Sequence, residues 1–234
     1  MVMPVVIERS GNGAERAYDL PSRLLKERII LLEGGVDDQM AHEVIAQLLY
    51  LDSIDDTTIR MIINSPGGSV HAGLAIADTM EQCRSPIHTE CRGLAASMGC
   101  FLLACGTPGM RYATRRASIM AHQVSSGTSG HIEDQRTAFL HTEALNETLM
   151  GELAEKVGMK YEQFMVDCNR DKWMTATEAR DYGKTGFIDG VIGIDAGKLD
   201  PKLAHLVKGA KPAGKKGKKA QVAKVEVIQG KAEE

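Results

Sequence analysis

No apolar run in the 234-residue sequence approaches the roughly 20 residues that cross a bilayer, which argues against a membrane-spanning helix. The first residues, Met1-Val-Met-Pro-Val-Val-Ile-Glu-Arg9, lack the charged-then-apolar order of a secretory signal, so the expected location is cytoplasmic. The five cysteines (Cys83, Cys91, Cys100, Cys105, Cys168) form no Cys-x-x-Cys pair, and His131 has no partner at zinc-site spacing. Neither metal nor cofactor is therefore expected, and the odd, scattered cysteines read as reduced thiols. Charge of one sign is also lacking: the formal net charge is -3, which gives no support to nucleic-acid binding. The glycine-rich stretch Asn64 to Ser69 lacks the lysine and spacing of a P-loop and the full dinucleotide fingerprint. What remains is a chain that is 43% hydrophobic, enough for one sizeable core or a domain with an appendage.

The strongest positive feature is Ser97 in Gly93-Leu-Ala-Ala-Ser97-Met-Gly99. Ile87 to Arg92 alternates like a half-buried strand, and Met98 to Cys105 is an apolar run short enough to be a buried helix. This predicts a serine at a helix N-terminus, where unpaired N–H groups and the helix dipole stabilise an oxyanion. Small neighbours, Ala95, Ala96 and Gly99, let a substrate backbone approach. An ordinary N-cap serine fits the same pattern.

Three further segments bear on that choice. Ile62 to Ser69 reads as a strand ending in a sharp glycine turn, followed by a helix from about Val70 to Cys83. Gly67-Gly68 there permits positive φ and exposes backbone N–H groups, as a phosphate cradle or an oxyanion-hole strand would. Ser118-Ile-Met-Ala-His122-Gln123 is a short strand delivering His122 to a serine, glycine and threonine segment, Val124 to Gly130. Asp167-Cys-Asn-Arg-Asp171-Lys-Trp173 places two acids between a short helix pattern and a second helix opening at Thr175. Either acid can orient an imidazole, and either can instead cap a helix or pair with Arg170 or Lys172.

Asn64-Ser-Pro-Gly-Gly68, Ala95-Ala-Ser97-Met-Gly99, Met120-Ala-His122-Gln123 and Arg170-Asp171-Lys-Trp173, in this order and spacing, resemble the Clp protease family, typified by its proteolytic subunit ClpP. The likeness runs from about Val5 to Ile192. It implies an α/β fold, a crotonase-like spiral of ββα units with a projecting handle helix. It implies Ser97 as nucleophile, His122 as general base, Asp171 as the residue orienting His122, and the N–H groups of Gly68 and Met98 as the oxyanion hole. Serine, histidine and aspartate follow one another in a chain order unlike that of chymotrypsin or subtilisin, but a triad is defined by geometry. The family further implies heptameric rings stacked as a tetradecamer, fed with unfolded polypeptide by an AAA+ unfoldase such as ClpX or ClpA.

Along the chain, the expected organisation is an N-terminal segment over 1–19, a peptidase core over 20–194 and a tail over 195–234. The resemblance makes the first a pore-lining loop turning at Gly11-Asn12-Gly13. The pattern from about His131 to Val157, with Ile132, Phe139, Leu145, Leu149 and Leu153 apolar, predicts one helix roughly 39 Å long. That is too long to bury within one subunit, so it should project, and the resemblance makes it the handle that interdigitates two heptameric rings. The tail from Gly197 carries ten lysines against four acids and reads as a disordered, solvated segment.

Two departures from the family stand out. Val124 to Gly130 replaces a proline and paired-glycine strand segment. At outer-surface positions where the family presents apolar residues to its unfoldase, this chain has Arg60, Gln82, Glu90 and Arg92, with Ile62 and Tyr112 ordinary for that role. These departures raise the alternative of a structural or regulatory subunit in a mixed ring with a paralogue that docks the ATPase, although the presence of Ser97, His122 and Asp171 argues against an inactive subunit. A crotonase-type acyl-CoA enzyme is a further alternative on the same fold, but neither paired carboxylates at the site nor a coenzyme A loop is visible.

Overall fold

A computed structural model describes residues 5–9 and 15–195. The lysine-rich tail and the turn at Gly11-Asn12-Gly13 lie outside the described residues. Strands β1 (Val5–Arg9) and β2 (Glu15–Asp19) form an antiparallel pair, and Asp19 at the end of β2 caps α1 (Leu20–Lys26) through the amide of Ser22 at 2.7 Å.

Strand and helix then alternate: β3 (Ile29–Val36), α2 (Asp38–Ile54), β4 (Ile59–Gly68), α3 (Val70–Gln82), β5 (Ile87–Ala96) and α4 (Met98–Ala104). Caps follow the sequence, with Asp37 accepting from the Met40 amide and Ser69 from the Ala72 amide. The main sheet runs β3-β4-β5-β6-β9, with β6 at Arg111–Thr114 and β9 at Gly190–Ile192, all parallel. Ile30, Leu32, Met61, Ile63 and Ile76 are among the side chains that form its core with α2, α3 and α4. All seven residues of α4 are buried.

β5 is buried on both sides over His88–Cys91 and continues to Ala96, beyond the half-buried strand expected to end at Arg92. A central parallel strand is covered on both faces, so alternation is not needed for its burial. Its two halves have different neighbours. Thr89–Cys91 pairs β6, and Leu94–Ala96 pairs β7 (Ser118–Ala121). β7 in turn pairs antiparallel with β8 (Lys172–Thr175).

The remaining helices are α5 (Ile132–Lys156), α6 (Tyr161–Asp167) and α7 (Ala176–Asp181). α7 opens, as expected, at Thr175, which forms a capping box with Glu178. Within α5 the apolar residues divide. Leu149, Met150 and Leu153 are buried in the subunit's own core, whereas Ile132, Phe139 and Leu140 are 74%, 61% and 56% exposed.

Candidate active site

Ser97 stands at the junction of β5 and α4 with φ 55° and ψ -123°, a backbone region costly for any residue with a side chain. Its amide donates to the Met120 carbonyl at 2.9 Å, so β7 holds it from one side. Its side chain makes no capping hydrogen bond. The ordinary N-cap reading therefore fails: a capping serine has extended backbone and turns its hydroxyl onto the first helical turn.

The glycine segment does not turn sharply, as expected from sequence, but stays in β4 up to Gly68 and pairs Gly35 and Val36 of β3. It departs from ideal register near Asn64, where its pairing with both neighbours shifts. Gly67 has φ +92°, and a Cβ there would lie 2.5 Å from the Ser97 Cβ and 2.9 Å from the Met98 amide nitrogen. A Cβ on Gly68, at φ +155°, would lie 2.2 Å from the Val36 carbonyl oxygen. Glycine is thus required twice in succession by close approach of backbone, which brings the end of β4 against the serine. Met98, as the first helical residue, has an N–H with no acceptor inside the helix.

His122 and Asp171 come together through strand register. Ala121 of β7 is paired with Lys172 of β8, so the next residue outward on each strand is His122 and Asp171, respectively. His122 Nδ1 lies 4.0 Å from Asp171 Oδ1. The imidazole is largely covered, at 23% exposed, and the Asp171 carboxylate is 59% exposed. The two acids left open by the sequence differ in their contacts: Asp167 accepts from the Tyr182 hydroxyl at 2.8 Å and from Gln163 Nε2 at 2.9 Å.

Ser97, His122 and Gly68 line one cavity. Gln123 and Ser125 add polar groups, while Val70, Phe101, Leu149 and Leu153 supply an apolar wall. Leu149 and Leu153, expected from sequence on a projecting helix, are here part of the wall. The segment after His122 is not a strand; Asn146 of α5 holds it, accepting from the Val124 amide at 2.9 Å and donating to Gln123 Oε1 at 3.2 Å. Neither Asn146 nor Tyr182 carried a signal in the sequence, because each acts through a partner more than ten residues away.

Burial pushes the thiols of Cys91 and Cys105 up to about 12 and that of Cys168 to about 11. Thiolates are scarce at neutral pH in such surroundings, so none of these cysteines competes as a nucleophile. Among the described residues no group of three or more histidine, cysteine or acidic side chains is placed to hold a metal ion, and no helix is long and apolar enough to cross a membrane.

Of the outer-surface positions named from the family, Glu90 and Tyr112 are buried in this subunit. Glu90 is enclosed by Arg60, by Arg92 Nε at 2.5 Å and by His88 Nε2 at 3.6 Å. The expectation of a charged Glu90 facing outward is thereby corrected: Arg60 and Arg92 close over the carboxylate and shield it from solvent.

A parallel α/β sheet with a strained serine at a strand-to-helix turn, sharing a cavity with a histidine that faces an aspartate, suits hydrolase chemistry. The family model described as Clp protease matches residues 12–195, and the chain belongs to that family of serine peptidases. The mixed α/β architecture, with its mostly parallel sheet and long α5, is consistent with the ClpP fold. Members generally assemble into rings and work with AAA+ unfoldases.

Proposed function

We propose that the chain is a serine endopeptidase subunit that cleaves unfolded polypeptides inside a Clp-type ring assembly. The observation that carries this reading is the backbone of Ser97, which forgoes capping and adopts a costly conformation beside His122. Strain of that kind, of order 1–3 kcal/mol, persists where the surroundings impose it and clusters at functional sites.

In this reading His122 removes the Ser97 proton as the hydroxyl oxygen attacks a peptide carbonyl carbon. Asp171 holds the imidazole in the useful tautomer and stabilises the imidazolium that forms. The N–H groups of Gly68 and Met98 receive the oxyanion. Collapse of the tetrahedral intermediate breaks the C–N bond, His122 returns the proton to the leaving amine, and water then releases the acyl group. The 4.0 Å separation of His122 and Asp171 is longer than a hydrogen bond, and apo sites commonly tighten when substrate binds. Val70, Phe101, Leu149 and Leu153 suit an apolar side chain next to the scissile bond.

The subunit is read as working in the cytoplasm, in stacked heptameric rings. Its coupling to an unfoldase is expected to be weak, because apolar anchors dominate small docking sites and Arg60, Glu90 and Arg92 here satisfy one another. A more typical paralogue in a mixed ring would then supply the docking surface.

The test is hydrolysis by the purified homomer, first of short peptides and then of a tagged folded protein with ClpX or ClpA and ATP. Peptide cleavage is expected, falling at least about 10³-fold in Ser97→Ala and His122→Ala. Folded substrate should persist until a second proteolytic subunit is added. Peptide cleavage that survives in Ser97→Ala overturns the active-site assignment, and rapid degradation of the folded substrate by the homomer removes the case for a mixed ring.

A further inference from the structure

The Asp171 carboxylate is mostly exposed, and among the described residues its ion-pair partner is His122 at 4.0 Å, with no hydrogen bond to aim it. Its position therefore depends on the backbone of the short segment 168–171, which joins the end of α6 to the start of β8 and has no regular structure.

The residues that flank that segment, Asp167 and Lys172, both meet the side chain of Tyr182. The Tyr182 hydroxyl donates to Asp167 Oδ2 at 2.8 Å, on the last residue of α6. Lys172 Nζ, on the first residue of β8, lies 5.5 Å from the centre of the Tyr182 ring, within cation–π range. The ring is itself fixed, stacked on buried Phe187 at 5.3 Å and meeting the edge of buried Phe164 at 6.2 Å. Gln163 completes the anchor by donating to the other oxygen of Asp167 at 2.9 Å. Burial and the bond to Asp167 raise the Tyr182 hydroxyl well above its ordinary range, and the same bond lowers the Asp167 carboxyl. The phenol thus stays protonated and the carboxylate ionised across neutral pH, which keeps donor and acceptor matched.

We propose that Tyr182 is a positioning residue for catalysis: bound to Asp167 and Lys172 together, it sets the backbone of the intervening segment and so the reach of Asp171 to His122. This rests on the reading of Ser97, His122 and Asp171 as a catalytic triad. Misplacement of a catalytic group by about 1 Å can cost on the order of 100-fold, so loss of one of two anchors is expected to be smaller but measurable.

The experiment measures kcat and KM for a short peptide, and the rate of covalent labelling by a fluorophosphonate, in the wild type, Tyr182→Phe, Asp171→Ala and the double variant. Tyr182→Phe keeps the ring under Lys172 and removes only the bond to Asp167, and Asp167→Asn tests that bond from the other side. Tyr182→Phe is expected to lower kcat and the labelling rate about 10-fold with KM within about twofold, Asp167→Asn to do so less, and full labelling to be reached in both. In the Asp171→Ala background, Tyr182→Phe should change neither quantity by more than about twofold, because the group it positions is gone. An unchanged rate in Tyr182→Phe overturns the proposal while leaving the triad intact, as does an equal loss in both backgrounds, which marks a general structural effect. A normal rate in Asp171→Ala instead fails the triad reading, and the proposal with it.

Discussion

Ser97 and Glu90 illustrate two ways in which a single residue holds an unfavourable state. Ser97 accepts a strained backbone because β7 and the end of β4 enclose it, with the Met120 carbonyl fixing its amide and Gly67 leaving no room for retreat. Glu90 is fully buried yet charged. Burial pushes its carboxyl up, but His88, Arg60 and Arg92 outweigh that and hold it down to about 2, from an ordinary 4.5. A carboxyl lowered in the folded state contributes stability that is complete above pH 4.5 and drains away as the pH falls toward 2. Glu90→Ala, which strands the arginines, is therefore expected to destabilise the fold by about 3 kcal/mol, near the low end for a broken buried pair because Arg92 reaches water. Urea unfolding at pH 7 and between pH 5 and 3 checks this, with the difference between wild type and variant shrinking as the pH falls. A difference that is absent at pH 7, or that grows in acid, would contradict the assigned network. Ser97, His122 and both aspartates were legible in the sequence as candidates, because each stands at a strand or helix end marked by periodicity. It misjudged Glu90, because position on a strand does not reveal that two arginines close over a carboxylate.

Among the elements, α5 was the most legible and still divided unexpectedly. Its 25 residues match the predicted length, but the apolar positions serve two surfaces. Leu149, Met150 and Leu153 turn inward and wall the cavity beside Ser97, which a helical period alone cannot assign. Ile132, Phe139 and Leu140 are instead mostly exposed. Apolar side chains exposed together on one long helix are characteristic of an interface, and burial by a second copy is the reading that fits a ring-forming family. Light scattering at micromolar concentration should show a ring or double ring, and Phe139→Asp with Leu140→Asp should yield smaller species. A well-folded wild-type monomer would contradict this role for the helix. The β4 terminus was misread for a related reason: Pro-Gly-Gly normally signals a turn, whereas here β3 supplies a partner strand that keeps Gly67 and Gly68 in the ladder.

On the scale of the whole molecule, the candidate site is a product of topology. β5 leaves β6 and joins β7 part-way along its length, and β7 recruits β8 in the opposite direction, so the ends of three strands and the glycine end of β4 meet at one place. The α/β class could be read from alternating patterns; the change of partner along β5 could not, because pairing over such sequence distances leaves no local mark. The central claim is that this convergence makes Ser97 a nucleophile served by His122. Peptide mapping of the assembled protein after treatment with a fluorophosphonate tests it most directly. The account predicts a single adduct per subunit on Ser97, absent in Ser97→Ala and nearly absent in His122→Ala. An adduct on any other residue, or undiminished labelling of Ser97→Ala, would contradict it.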